Sequence, residues 1–142
     1  MKPVSELLRE RSGTIWHISP DDSVFGALQL LAQHEVGALM VMEGGWLVGV
    51  VSERDYTRKV ALQGRNSKET RVRDIMTPHV ITVGPHATTH ACMALMSEKR
   101  IRHLPVVEGG TVMGMISIRD IMDDIIADHE TTIAQLESYI HS

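Results

Sequence analysis

The sequence predicts an α/β (α+β) protein built from two tandem β-α-β-β-α repeats packed sheet to sheet. Shifting the 142-residue chain on itself by 65 residues lays Gly49-Val50-Val51-Ser52-Glu53-Arg54-Asp55 over Gly114-Met115-Ile116-Ser117-Ile118-Arg119-Asp120. The same shift lays Leu39-Met40-Val41-Met42-Glu43-Gly44-Gly45 over Leu104-Pro105-Val106-Val107-Glu108-Gly109-Gly110. From Thr14 to Asp55 against His79 to Asp120, Pro20, Leu30, Leu39, Val41, Glu43, Gly44, Gly45, Gly49, Ser52, Arg54 and Asp55 recur, 11 of 42 positions, which identifies a duplication. A single unit of about 60 residues would leave one sheet face uncovered, and a second copy supplies the cover.

Each repeat reads alike. A β-rich run, Thr14 to Ile18 or His79 to Val83, leads to Pro20 or Pro85, and Ser23 or Thr88 then stands as N-cap of a helix. Val24, Leu28, Leu31 and Ala32 form the apolar stripe of the first helix, and Thr89, Met93, Met96 and Ser97 hold the same places in the second. The apolar runs Val36 to Met42 and Trp46 to Val51 flank Glu43-Gly44-Gly45, whose glycines permit the positive φ of a tight hairpin. Ser52 and Ser117 then open a further helix in each copy.

The first repeat is expected over residues 1–63, a polar linker over 64–71 and the second repeat over 72–128. Val72-Arg73-Asp74-Ile75-Met76 mirrors Val4-Ser5-Glu6-Leu7-Leu8 as an opening turn, and the first copy carries three extra residues within Arg9 to Gly13. A separate amphipathic helix is expected over 129–142, capped by Thr131 or Thr132 and carrying Ile133, Leu136 and Ile140 on one face, free to dock on its own module or a partner.

Composition narrows the function classes. Fourteen Lys+Arg against 18 Asp+Glu give a net charge of -4, so no global positive field exists to hold a polyanion. Aromatic residues are 4% of the chain, which leaves few base-stacking platforms. The 43% hydrophobic content suits a packed core, yet no apolar run approaches the roughly 20 residues of a membrane span. The N-terminus lacks an apolar signal region and the one cysteine, Cys92, has no disulfide partner, so a reducing cytoplasm is expected. His86, His90 and Cys92 are close in sequence, but they surround an N-cap where side chains diverge, and no second ligand pair at zinc spacing exists. No metal is expected. HExxH, P-loop and GxSxG motifs are missing, and Cys92 has no neighbouring base in sequence, so no catalytic residue is assigned. The methionines Met93, Met96, Met113 and Met115 read as core or dimer packing.

The repeated Gly-h-h-Ser-x-Arg-Asp at Gly49–Asp55 and Gly114–Asp120, with Ile101-Arg102-His103-Leu104-Pro105-Val106-Val107 and Asp74-Ile75-Met76-Thr77-Pro78, resembles the CBS-domain pair, named after cystathionine β-synthase. The resemblance spans about Val4 to Ala127. It implies a regulatory fold binding adenosine nucleotides in clefts between copies, commonly as a dimer of pairs. In the family pattern each cleft joins strands of one copy to the Ser-x-x-Asp of the other. One cleft would use Ile15, Ile18, Gly37 and Ala38 with Ser117, Arg119 and Asp120, and the other Val80, Thr82, Arg102 and His103 with Ser52, Arg54 and Asp55. The first copy departs from the pattern, with Gly37-Ala38-Leu39-Met40 where the second has Arg102-His103-Leu104-Pro105, so the clefts need not share one ligand.

The residues suit that chemistry. Where a strand gives way to a helix, unpaired N–H groups favour an anion. Ser52 and Ser117 can donate to a phosphate, Arg54 and Arg119 can bridge it, and Asp55 and Asp120 can accept from ribose hydroxyls. The same Ser-x-x-Asp spacing is also an ordinary helix-capping box, and Arg102-His103 can equally be a solvated strand start. The expected function is a sensor of AMP, ADP, ATP or NAD(H) that acts in trans on a protein partner, as a homodimer. Its rivals are a metal-dependent nucleotide hydrolase using Asp55 or Asp120, and a dimerisation module with no ligand.

Overall fold

The computed structural model describes residues 2–10 and 15–141; much of the expected insertion within Arg9 to Gly13 lies outside them. The chain runs α1 (Val4–Arg9), β1 (His17–Ile18), α2 (Val24–His34), β2 (Ala38–Glu43), β3 (Trp46–Ser52) and α3 (Glu53–Tyr56), which continues as a π-helix over Thr57–Ala61. A 3-10 turn (Val72–Asp74), α4 (Thr89–Lys99), β4 (His103–Glu108), β5 (Thr111–Ser117) and α5 (Ile118–His141) follow. The first copy follows the expected β-α-β-β-α order, the second follows it from its first helix onward, and the hairpin glycines Gly44, Gly45, Gly109 and Gly110 all have positive φ.

In the first sheet β1 lies parallel to β2, pairing His17 with Met40 and Ile18 with Val41, while β2 and β3 are antiparallel. The expected first strand of the second copy, His79 to Val83, is reduced to one parallel bridge between Val83 and Val106. Its reason is Pro105. In the first copy the Met40 N–H donates to the Trp16 carbonyl at 3.3 Å. Proline at the matching position has no N–H to give, so the ladder cannot extend.

Both helices start where predicted, with Ser23 Oγ accepting from the Gly26 N–H and Thr88 Oγ1 from the Ala91 N–H. Val24 and Leu31 of the expected stripe are buried in α2, as are Thr89 and Met96 in α4; between them Ala27 and Cys92 are buried while the expected Leu28 and Met93 are half-buried, and Ala32 and Ser97 are exposed. Each helix ends in a left-handed residue that is not glycine, Glu35 at φ 53° and Arg100 at φ 55°. No new helix begins at Thr131 or Thr132, because α5 runs unbroken from Ile118 to His141. The side chains of both threonines and of Ile140 lie outside the described residues.

Two compact units form, and they do not follow the repeats. In one, residues 15–81 with 110–112, the core joins Ile18, Leu31, Leu39, Val41 and Val51 to Val72 and Ile75 of the second opening turn. The other holds residues 2–10, 82–109 and 113–141; Val4 and Leu7 of α1 are buried there, as are Cys92, Leu104, Val106, Ile116 and Ile121. Each opening turn therefore belongs to the unit built on the other copy's sheet.

The glycine of each repeated motif serves that packing. A Cβ on Gly49 would stand 2.6 Å from Met76 Sδ, and one on Gly114 would stand 2.7 Å from Leu8 Cδ2. Only glycine lets the opening side chain lie flat on the strand.

Candidate functional site

Each Ser-x-x-Asp closes as a capping box at a strand end. Asp55 Oδ2 accepts from the Ser52 N–H at 2.9 Å and from its hydroxyl at 3.0 Å, and Ser52 Oγ accepts from the Asp55 N–H at 3.2 Å. In the second copy the three distances are 2.8, 2.9 and 3.2 Å between Ser117 and Asp120. The preceding strand completes the arrangement. The Glu53 N–H donates to the Gly37 carbonyl at 3.1 Å, and the Ile118 N–H donates to the Arg102 carbonyl at 2.8 Å. Thus the structure joins Gly37 to Ser52 and Asp55, and Arg102 to Ser117 and Asp120, within single copies. The serine hydroxyls are used inside the box, so the expected donation from serine to a phosphate would require the box to open.

Around the boxes the copies differ in charge. Lys59, four residues after Asp55, lies 3.3 Å from Asp55 Oδ1 and donates to the Ile75 carbonyl at 2.8 Å. The matching residue after Asp120 is Asp124, whose side chain is 1% exposed. Its nearest cation among the described residues is Lys2, at 3.6 Å, and neither of its oxygens has a hydrogen-bond partner there. Thr89 Oγ1, in the same unit, is likewise buried with no hydrogen-bond partner among the described residues. Asp124 was not singled out in the sequence, where the available signal was its alignment with Lys59; Thr89 was placed on the inward stripe of its helix in register with Val24, without notice of the hydroxyl it buries.

The remaining expected residues differ in burial. Arg54, Arg119, Arg102 and Thr82 are exposed, and Ile15, Gly37 and Val80 half-buried. Ile18 and Ala38 are core residues with almost no exposed surface. His103 is half-buried. Burial pushes its imidazole below the ordinary value, Asp120 pulls it upward and Arg102 adds to the lowering, which leaves a neutral ring near pH 7.

A cavity of about 760 Å³ lies elsewhere in the first unit, at the hairpin turn Gly44-Gly45, and includes Ile15, Ile18, Asp22 and Thr111. It takes in two of the expected ligand residues and none of the box residues. Its turn glycines had signalled only a hairpin. Among the described residues no three His, Cys, Asp or Glu side chains gather as a metal site. His86 and His90 are exposed, whereas Cys92 faces the core and burial pushes its thiol upward. No described helix is long and apolar enough to cross a membrane.

Comparison with known proteins agrees with the repeat architecture. The CBS domain family model matches residues 4–62 and again 72–127. The chain is 42% identical over 125 residues to the CBS domain-containing protein CBSX3, mitochondrial, of Arabidopsis thaliana, covering 84% of this chain and 61% of that relative, less than two thirds of its length. A solved protein with CBS domains from Burkholderia ambifaria MC40-6 is 46% identical with a TM-score of 0.86, over 89% of this chain and 96% of that one. The CBS domain pair of MJ0100, solved in complex with 5′-methylthioadenosine and S-adenosyl-L-methionine, shares the fold at 22% identity and a TM-score of 0.79, over 90% of this chain and 98% of its own. With two matched copies, each carrying the same capping box at the same strand end, this chain belongs to the CBS-domain family as a tandem pair.

Proposed function

We propose that the chain is a non-enzymatic regulatory module that binds an adenosine-containing ligand, AMP, ADP, ATP or NAD(H), and acts in trans on a protein partner, as a homodimer in the cytoplasm. One observation carries the reading: the same box, tied to the carbonyl of Gly37 or Arg102, stands at the end of β3 and of β5. A second copy of so specific an arrangement is more than capping alone requires. The MJ0100 pair supports the ligand class, since a protein of the same fold was solved in complex with two adenosine derivatives.

The residues proposed to meet the ligand are Ile15, Ile18, Gly37, Ala38, Ser117, Arg119 and Asp120, and Val80, Thr82, Arg102, His103, Ser52, Arg54 and Asp55. The exposed guanidiniums of Arg54, Arg102 and Arg119 are suited to phosphate, because a planar fork can give two hydrogen bonds to one anion. A neutral His103 adds a donor or acceptor without charge. The carboxylates suit ribose hydroxyls.

A second reading, a dimerisation module without ligand, is favoured by the closure of each box on itself. Thermal unfolding with a nucleotide panel separates the two. A ligand at 100 times its Kd stabilises by about 2.7 kcal/mol, so one member of the panel should raise Tm by roughly 10 °C. No shift with any of AMP, ADP, ATP or NAD(H) would leave the module reading standing. Turnover of ATP with Mg²⁺ would instead favour the hydrolase.

A further inference from the structure

The distal half of α5 carries a row of large apolar side chains that the described residues leave exposed. Every residue described by burial from Ile126 to Ser138 is exposed, although the backbone stays helical to His141. An uncovered helix of that length is marginal in water. Its apolar residues are nonetheless ordered. Met122 is 51% exposed, Ile126 51%, Ile133 55% and Leu136 58%, and by sequence Ile140 continues the series. With His129 they take the spacing 122, 126, 129, 133, 136, 140, an unbroken alternation of four and three, which is the a/d seam of a two-stranded coiled coil. The exposed apolar surface of these side chains is on the order of 400 Å², comparable with the largest and often functional patch of a monomeric protein.

We propose that this seam pairs with the same helix of a second copy, parallel and in register, a refinement that rests on the homodimer part of the reading above. Two features select that occupant. The seam's polar member is His129, and only parallel in-register pairing sets it against its own copy; other alignments set it against Ile or Leu. The flank is the second. Asp123, Glu130 and Glu137 occupy the e positions, while Ile125 and, by sequence, Thr132 and Tyr139 occupy the g positions. Parallel strands face e against g, so no like charges meet. Antiparallel strands would set these carboxylates against one another.

Cysteine cross-linking of the full chain tests this. Leu136→Cys should form an interchain disulfide under mild oxidation in most of the protein, while Ala134→Cys, on the opposite face, and the unaltered chain with its buried Cys92 should not. Ile133→Asp should weaken association at least 100-fold by light scattering over a dilution series. Because Ile133 is exposed, that variant keeps its core. A dimer that survives Ile133→Asp, with no cross-link at position 136, overturns the seam and leaves the homodimer reading intact. A monomer at micromolar concentration overturns both.

Discussion

Each aspartate of the twin boxes holds a helix start, so its removal must first be read as a stability change. Asp55→Ala takes away the acceptor for the Ser52 N–H and hydroxyl, in a side chain only 14% exposed. Loss of an N-cap interaction costs about 0.5–2 kcal/mol, and an acceptor that is charged and mostly buried belongs at the upper end. The ion pair with Lys59, which is 42% exposed, adds a few tenths of a kcal/mol. Asp55→Ala should therefore cost about 2 kcal/mol, or roughly 8 °C in Tm. Asp120→Ala opens an equivalent box and should cost a similar amount, about 1–2 kcal/mol, the worth of an N-cap interaction. Urea unfolding at fixed protein concentration measures both. A cost below about 0.5 kcal/mol for either variant would refute the box as the cap of its helix. Calorimetry on the folded variants then reads ligand contact separately; loss of a charge-assisted hydrogen bond should weaken adenosine-ligand binding about tenfold or more.

Four further outcomes are expected. Gly49→Ala should destabilise more than Gly114→Ala, by about 1 kcal/mol in urea unfolding, because its Cβ meets the Thr77 carbonyl at 3.0 Å as well as Met76, whereas Gly114 meets only the Leu8 side-chain tip. His103 has a folded pKa below its unfolded 6.5, so the unfolded chain binds more protons; stability is full above about pH 6.5 and falls as the pH drops through the lowered folded value, and His103→Gln should flatten that limb of the urea-midpoint profile. Arg102→Ala should weaken ADP, ATP or NAD(H) more than AMP in titration calorimetry, since an exposed guanidinium contributes most where phosphates are most numerous; equal weakening would count against a phosphate contact. Asp124→Leu should leave stability unchanged or raise it by about 1–4 kcal/mol in urea unfolding, because a buried carboxylate whose cation among the described residues, the half-exposed Lys2, stands 3.6 Å away is replaced by an apolar side chain of similar size.

The duplication, both N-caps and both hairpins were legible because each is written locally, in a Ser or Thr before an apolar stripe or in a Glu-Gly-Gly between strands. The box was legible as residues, while its closure onto Gly37 and Arg102 required the strand ends to meet. Other features depended on partners distant in sequence. Val72 and Ile75 announce an opening turn without saying which sheet they will cover, and the unit they join is decided by the glycine opposite Met76. The weak first strand of the second copy follows from Pro105, 22 residues beyond Val83. The cap expected at Thr131 or Thr132 failed because no glycine or proline interrupts the helical run after Ser117, and a capping residue does not itself stop a helix already under way.

The points where the copies diverge are themselves organised. Val24 becomes Thr89, Met40 becomes Pro105, Lys59 becomes Asp124, and Gly37-Ala38 becomes Arg102-His103. The first copy keeps the choices that packing favours: an apolar helix start, a strand residue able to donate its N–H, and a lysine that reaches both Asp55 and the Ile75 carbonyl. The second gives up a ladder hydrogen bond and buries polar atoms that have no hydrogen-bond partner among the described residues, changes that lower stability. Where it departs on the surface, it gains the exposed Arg102 and the half-buried His103 beside its own box. A copy shaped by packing alone would have no reason to change in that direction at those places. The divergence thus assigns the plainer, apolar environment to the first strand pair and the charged one to the second, and it is the second whose ligand preference should respond to phosphate number.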